Sequence, residues 1–196
     1  RGCGAGALEY ESTPAVAWNG TASLVVWSDG RNYTDRLADI HGRLVSIDGV
    51  PQGADFRISG TQATGEEMNP AVAWGEMDFL VVWADSRHSN ERGLDIRGRR
   101  VSAGGIAEGK DFRISGKTGT ADDRVPQIAS DGSGYLVVWQ DERMLPDRQS
   151  DIYGRMLSGS GTPDGAAFRV CGPGATGWDW TPVLAWDDVA AQYLVV

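Results

Sequence analysis

One stretch of this chain returns every 56 residues. Pro14-Ala-Val-Ala-Trp18 recurs as Pro70-Ala-Val-Ala-Trp74, then in altered form as Pro126-Gln-Ile-Ala-Ser130 and Pro182-Val-Leu-Ala-Trp186. The same step of 56 links the LVVW runs ending at Trp27, Trp83 and Trp139, the D-I-x-G-R segments opening at Asp39, Asp95 and Asp151, and the F-R-[IV] segments at Phe56, Phe112 and Phe168. A fixed period of this length restricts the chain to an architecture of stacked like units, each burying its apolar surface against the next.

Within one unit, PAVAW and LVVW are short and rich in β-formers. Turn-like segments such as Asn19-Gly20-Thr21-Ala22 and Asp131-Gly132-Ser133-Gly134 join them, so they read as a tight hairpin. Both strands are almost continuously apolar, which implies burial on both faces. The next two alternate, with Ile40, Gly42 and Leu44 set against His41, Arg43 and Val45, then Phe56 and Ile58 against Arg57 and Ser59. Two buried inner strands followed by two half-exposed outer ones describe a β-propeller blade, and no amphipathic helical pattern interrupts them. The glycine of D-I-x-G-R, at 42, 98 and 154, sits mid-strand, where a large neighbour approaches closely; a Trp of the adjoining hairpin is the expected occupant. Of the eight Trp, six end the two inner strands and read as core, each contributing on the order of 2–3 kcal/mol if fully buried; an outward aromatic ring for ligands is the alternative.

The predicted fold is therefore all-β: a propeller with four-stranded antiparallel blades, at 14–69, 70–125 and 126–181, followed by a partial blade at 182–196. Residues 1–13 match the end of a preceding repeat, so 1–196 reads as one propeller segment. Propellers close with about four to eight blades, so this count predicts an incomplete ring, either part of a longer protein or a piece that associates to complete it.

Charge narrows the partners. Eighteen basic against twenty-seven acidic residues give a net charge of -9, which removes the general attraction to phosphate backbones and makes nucleic acid and anionic membrane poor partners. The apolar run Phe79–Ala84 is far below the ~18 residues of a membrane span, so no membrane insertion is expected.

Chemistry-bearing residues recur with the period. After the second strand come Asp29/Arg31, Asp85/Arg87 and Asp141/Arg143, followed by Asp35-Arg36, Glu91-Arg92 and Asp147-Arg148. Asp39/Arg43, Asp95/Arg99 and Asp151/Arg155 come next. Matched carboxylates and guanidinia pair bidentately, and threefold repetition reads as a structural ion-pair network rather than a catalytic constellation. Glu11, Glu67, Asp123 and Asp179 each lie three residues before the strand-opening Pro. In a ring they would gather near one mouth of the axis, where carboxylate oxygens suit a hard cation such as calcium. The alternative is that each accepts hydrogen bonds from its own turn or from a neighbouring Arg, because no dense D-x-D-x-D loop accompanies them. No other cofactor is implied.

His41 and His88 occupy different repeat positions, and neither a Ser-His-Asp arrangement nor a G-x-S-x-G elbow is legible, so they read as a strand surface residue and a loop residue. Propeller glycoside hydrolases use carboxylates at the axial end of the inner strands, and here only the preceding acidic set fits. Cys3 and Cys171 share one repeat position and open matching C-G-x-G-A turns; like loops on different blades lie beyond the ~7 Å reach of a disulfide, so a bridge between them is not expected. The same turns carry Tyr10, Trp178 and Trp180, as a sugar-stacking set or as interblade packing.

L-V-V-W-x-D-x-R followed by D-I-x-G-R and F-R-I-S resembles repeats of large secreted or cell-surface bacterial proteins, over nearly all of 14–196. The resemblance implies β-propeller modules and an extracellular or cell-surface location, and brings no binding motif with it. The expected role is a non-catalytic binding or adhesion scaffold with a glycan or protein partner. A glycan-processing propeller enzyme and a self-associating structural repeat are the alternatives.

Overall fold

The computed structural model describes residues 10–32, 37–60, 65–116, 121–143, 150–172 and 179–196. Within them the first sheet holds β1 (Glu11–Trp18), β2 (Ala22–Asp29), β3 (Asp39–Ser46) and β4 (Pro51–Arg57), and the second β5 (Glu67–Gly75), β6 (Asp78–Asp85), β7 (Asp95–Ser102) and β8 (Ala107–Arg113). The third holds β9 (Asp123–Ser130), β10 (Gly134–Asp141), β11 (Asp151–Ser158) and β12 (Pro163–Arg169); β13 (Leu184–Asp187) and β14 (Gln192–Val195) pair alone. Each sheet is an antiparallel meander with neighbours in sequence order, the topology of a propeller blade.

The LVVW strands are apolar throughout because successive side chains serve opposite seams. Phe79, Val81 and Trp83 of β6 pack back against Leu24, Val26, Ile40 and Ile58 of the first blade. Leu80 and Val82, with Ile96 and Ile114, pack forward against Tyr135, Val137 and Trp139 of the third. Leu136, Val138 and Ile152 then receive Leu184, Tyr193 and Val195. All eight residues of β6 and of β10 are accordingly buried, whereas the middle of β8 is exposed. Trp27, Trp83 and Trp139 belong to this core; Trp74 and Trp186 are half-buried and Trp18 is 43% exposed. The hairpins close as expected from their sequence, with the Asn19 carboxamide oxygen accepting from the Thr21 and Ala22 amides at 2.9 and 2.8 Å, and Asp131 accepting likewise from Ser133 and Gly134.

Two expectations are corrected. The mid-strand glycine makes room for the isoleucine of its own blade's F-R-I segment, not for a Trp: a Cβ at Gly42 would lie 2.7 Å from Ile58 Cδ1, and one at Gly98 2.9 Å from Ile114 Cδ1. In addition, Glu11, Glu67 and Asp123 do not precede the first strand but begin it. A bulge separates each from the strand-opening proline, built on a non-glycine residue in the left-handed region: Thr13, Asn69 and Val125, with φ of 49°, 53° and 47°; Thr181 of the fourth unit shares that φ, at 43°. Proline is tolerated there because the ladder is already interrupted.

Candidate functional site

The bulge aligns three acids across the end of each four-stranded blade. Glu67 stands opposite Asp85, which stands opposite Asp95; the same register joins Glu11, Asp29 and Asp39 in the first blade, and Asp123, Asp141 and Asp151 in the third. The central acid is the most heavily bonded. Asp85 accepts from the Trp83 indole at 3.3 Å and from the Arg87 amide and guanidinium, and Asp29 and Asp141 repeat the pattern with Trp27/Arg31 and Trp139/Arg143. Burial pushes the Asp29 carboxyl up, but the Arg31 and Trp27 hydrogen bonds outweigh it and hold it at about 2. The third-strand acids pair with the F-R arginines, Asp39 with Arg57 at 2.7 Å, Asp95 with Arg113 at 2.8 Å and Asp151 with Arg169 at 2.6 Å.

The expected pairing of Asp39 with Arg43, and of its repeats, is therefore replaced. Arg99 and Arg155 instead donate from Nη1 to the carbonyls of Ile58 and Ile114 in the preceding blade, both at 2.8 Å, so the arginine of D-I-x-G-R fastens one blade to the next. A second periodic bond crosses the same seams: the amides of Glu67, Asp123 and Asp179 donate to the carbonyls of Ala38, Leu94 and Ser150 at 3.0, 3.0 and 3.1 Å.

The first-strand acids are the electrostatic exception. Glu67 is fully buried, with its nearest described cation, Arg87, 3.7 Å away. Burial drives its carboxyl up, the Ser59 hydroxyl of the preceding blade pulls it back, and Asp85 and Asp39 push it further, to about 8 from an ordinary 4.5. Asp123 is raised in the same way by burial and by Asp141. Both hold a proton near neutrality.

The four sequence-expected acids stand one to a unit. Among the described residues, Glu11, Glu67, Asp123 and Asp179 each occupy their own blade or seam, and no two of them join one group of three ligand atoms within 4.8 Å. Two such groups do form. In Asp29/His41/Asp55 the Arg31 guanidinium already stands 2.5 Å from both aspartates, and in Asp151/Cys171/Asp179 Arg169 donates to Asp151 at 2.6 Å and to the Cys171 sulfur at 3.1 Å. An arginine supplies the positive charge at each. Tyr10 is 45% exposed, its hydroxyl 3.2 Å from Glu66, and Trp180 is 60% exposed; Trp178 lies outside the described residues, as do Cys3, Asp35-Arg36 and Asp147-Arg148. Cys171 is a free thiol in the position where Ser59 and Ser115 accept the Ile40 and Ile96 amides. His41 is buried rather than on the surface, and burial depresses its basicity. His88 is a loop residue, 3.7 Å from Glu91.

Two further acids share one repeat position. Asp55 and Asp111, just before the F-R phenylalanines, bridge the loop arginine to a variable third-strand residue: Asp111 takes Arg87 at 2.6 Å and Arg97 at 3.0 Å, while Asp55 takes Arg31 and faces His41 at 3.5 Å. In the third blade Ala167 stands there instead, and Arg143 lies 3.9 Å over the Tyr153 ring. The joint change at 41/55, 97/111 and 153/167 was the available signal.

No family model matches the chain, and no curated protein does. Solved structures do. The endo-arabinase from Bacteroides thetaiotaomicron VPI-5482 superposes with a TM-score of 0.65 at 12% identity, over 97% of this chain and 70% of that one. The GH93 α-L-arabinofuranosidase of Fusarium graminearum complexed with arabinobiose gives 0.62 at 13% identity, over 90% and 53%. The N10 neuraminidase-like protein of A/little yellow-shouldered bat/Guatemala/060/2010 gives 0.58 at 11% identity, over 89% and 48%. The chain spans 58% and 49% of the length of the arabinofuranosidases from Lactobacillus brevis and Fusarium graminearum Arb93A. With the blade topology, these likenesses establish an all-β propeller segment.

Proposed function

We propose that this chain is part of a non-catalytic binding scaffold, outside the cell or at its surface, whose ligand is a glycan. The observation that carries the reading is the contrast between what repeats and what does not. The strand-end acids recur in every blade and are bonded to the blade's own indole and guanidinium or sealed in a seam, which is the behaviour of architecture. Trp180 breaks the period, where the other units carry Ser12, Met68 and Arg124, and stands 60% exposed, as a sugar-stacking ring must. Glycan-array binding by the chain, with loss on Trp180→Ala and weakening on Tyr10→Ala, is the expected result; an array without hits removes the reading.

A second reading has one observation behind it. Asp123 and Glu67 keep a proton near neutral pH, as a general acid for glycoside cleavage must, and solved neighbours include an α-L-arabinofuranosidase and an endo-arabinase. Both acids are buried, so substrate would have to open a seam to reach them. Release of reducing sugar from arabinan that disappears in Asp123→Asn would overturn the scaffold reading.

A further inference from the structure

The second blade departs from the repeat in the opposite electrostatic sense to the chain as a whole. The chain carries a net charge of -9, yet a cleft of about 370 Å³ at the outer strands β7 and β8, closed on one side by Gly60 of the first blade, is lined by Arg87, Arg97, Arg99 and Lys110, with Asp111 as the carboxylate among them. Counting Asp85 behind Arg87, two positive charges are left over. Two of the cations belong to the architecture. Arg99 spends its guanidinium on the Ile58, Glu108 and Gly109 carbonyls, and Arg87 on Asp85 and Asp111.

The other two are particular to this blade. Arg97 stands where the neighbours have His41 and Tyr153, and Lys110 where they have Ala54 and Ala166. Arg97 reaches Asp111 through Nη2, at 3.0 Å, and its side chain remains 13% exposed at the cleft wall. A guanidinium carries five N–H donors, and Asp111 takes only part of that capacity. A planar guanidinium fork on a strand beside an exposed ammonium suits a planar anion, and concave walls concentrate the field. The volume falls in the range of pockets that enclose one small ligand or one sugar ring.

We infer that this cleft is a carboxylate-binding subsite, held by Arg97 and Lys110, for an acidic sugar residue of a glycan. The inference rests on the glycan-binding reading and names its substrate class. The test uses the full chain and isothermal titration with a trigalacturonate and with its neutral methyl ester. Arg97→His and Lys110→Ala are the variants, since the first blade already folds with His41 opposite an aspartate and two blades carry alanine at the lysine position. The acid is expected to bind at least about tenfold tighter than the ester, each variant to remove most of that preference, and added salt to weaken the acid selectively. Equal binding of acid and ester, or a preference untouched by both variants, overturns the subsite while leaving glycan binding intact. Binding of neither sugar overturns both.

Discussion

Glu67 stands directly opposite Asp85 in the β5–β6 register, both are buried, and the nearby Arg87 guanidinium is committed to the aspartate. The glutamate therefore stays neutral, with its carboxyl pushed to about 8. A carboxyl raised on folding stabilises the native state below its unfolded value, and that contribution is lost as pH rises through the folded value. Stability should fall between roughly pH 5 and pH 8, with Asp123 acting in the same direction. On the acid side Asp29, held at about 2, works oppositely and loses its contribution as pH drops below about 4. Thermal melts against pH should peak between about pH 4 and 5. Glu67→Gln, which mimics the protonated form, should flatten the alkaline limb and raise Tm at pH 8 by on the order of 3–6 °C. A melt that rises from pH 5 to 8 would contradict this assignment.

Arg155 joins two blades by a single directed group. Its Nη1 donates to the Ile114 carbonyl at 2.8 Å while Nη2 holds Gly165 of its own hairpin. Arg155→Lys keeps the charge but cannot reach both carbonyls from a planar fork, and should cost about 1–2 kcal/mol by urea unfolding. Hydrogen exchange should quicken at the seam between the second and third blades more than within either sheet. Uniform acceleration would mean that the arginine supports its own blade only.

The glycine of each blade is matched to the branched aliphatic residue that ends its F-R-[IV] segment. A Cβ at Gly98 meets Ile114 Cδ1 at 2.9 Å in a fully buried site, whereas at Gly154 the counterpart is Val170 Cγ2 at 3.3 Å. Gly98→Ala should destabilise by about 1–3 kcal/mol and Gly154→Ala by less. Ile114→Val removes the clashing atom, so the double variant should recover part of the loss; a strictly additive cycle would exclude this contact as the reason for the glycine.

The period was legible because each seam reuses the same residues, and with it came the four-stranded blades, the buried LVVW strands and the Asp-x-Arg pairs. What failed were inferences of partnership along the chain. Asp39 and Arg43 lie four residues apart on one strand, roughly 13 Å at the usual rise, so the aspartate is served from across the sheet by Arg57 and the arginine is free to reach a carbonyl. The glycine gap follows the same logic: Ile58 returns over Gly42 just past the end of its own blade's outer strand, and a run of letters does not show which neighbour arrives first. The proton on Glu67 was illegible in principle, because it depends on burial by the blade next door. Arg97 and Lys110 could have been found, since both break a period that was already in view.

The bulge before each proline offers the last test. Val125 holds φ at 47°, a left-handed conformation that a β-branched side chain adopts at a cost of about 1–2 kcal/mol, while the same position in the second blade is Asn69 at 53°. Asparagine tolerates this region because its short polar side chain bonds locally. Val125→Asn should therefore stabilise the third blade by about 0.5–1 kcal/mol, and Asn69→Val should destabilise the second by a similar amount. Four units place a non-glycine residue here, at Thr13, Asn69, Val125 and Thr181, so the conformation is imposed by the blade and not by the residue. That predicts a further outcome: Val125→Gly should keep the bulge, read as unchanged amide shifts for Asp123 and Gln127, with little gain in stability, because the freedom glycine adds to the unfolded chain offsets the strain it relieves. A Val125→Gly chain that lost the Asp123–Asp141 register would show instead that valine packing, and not the backbone, holds the acid in its seam.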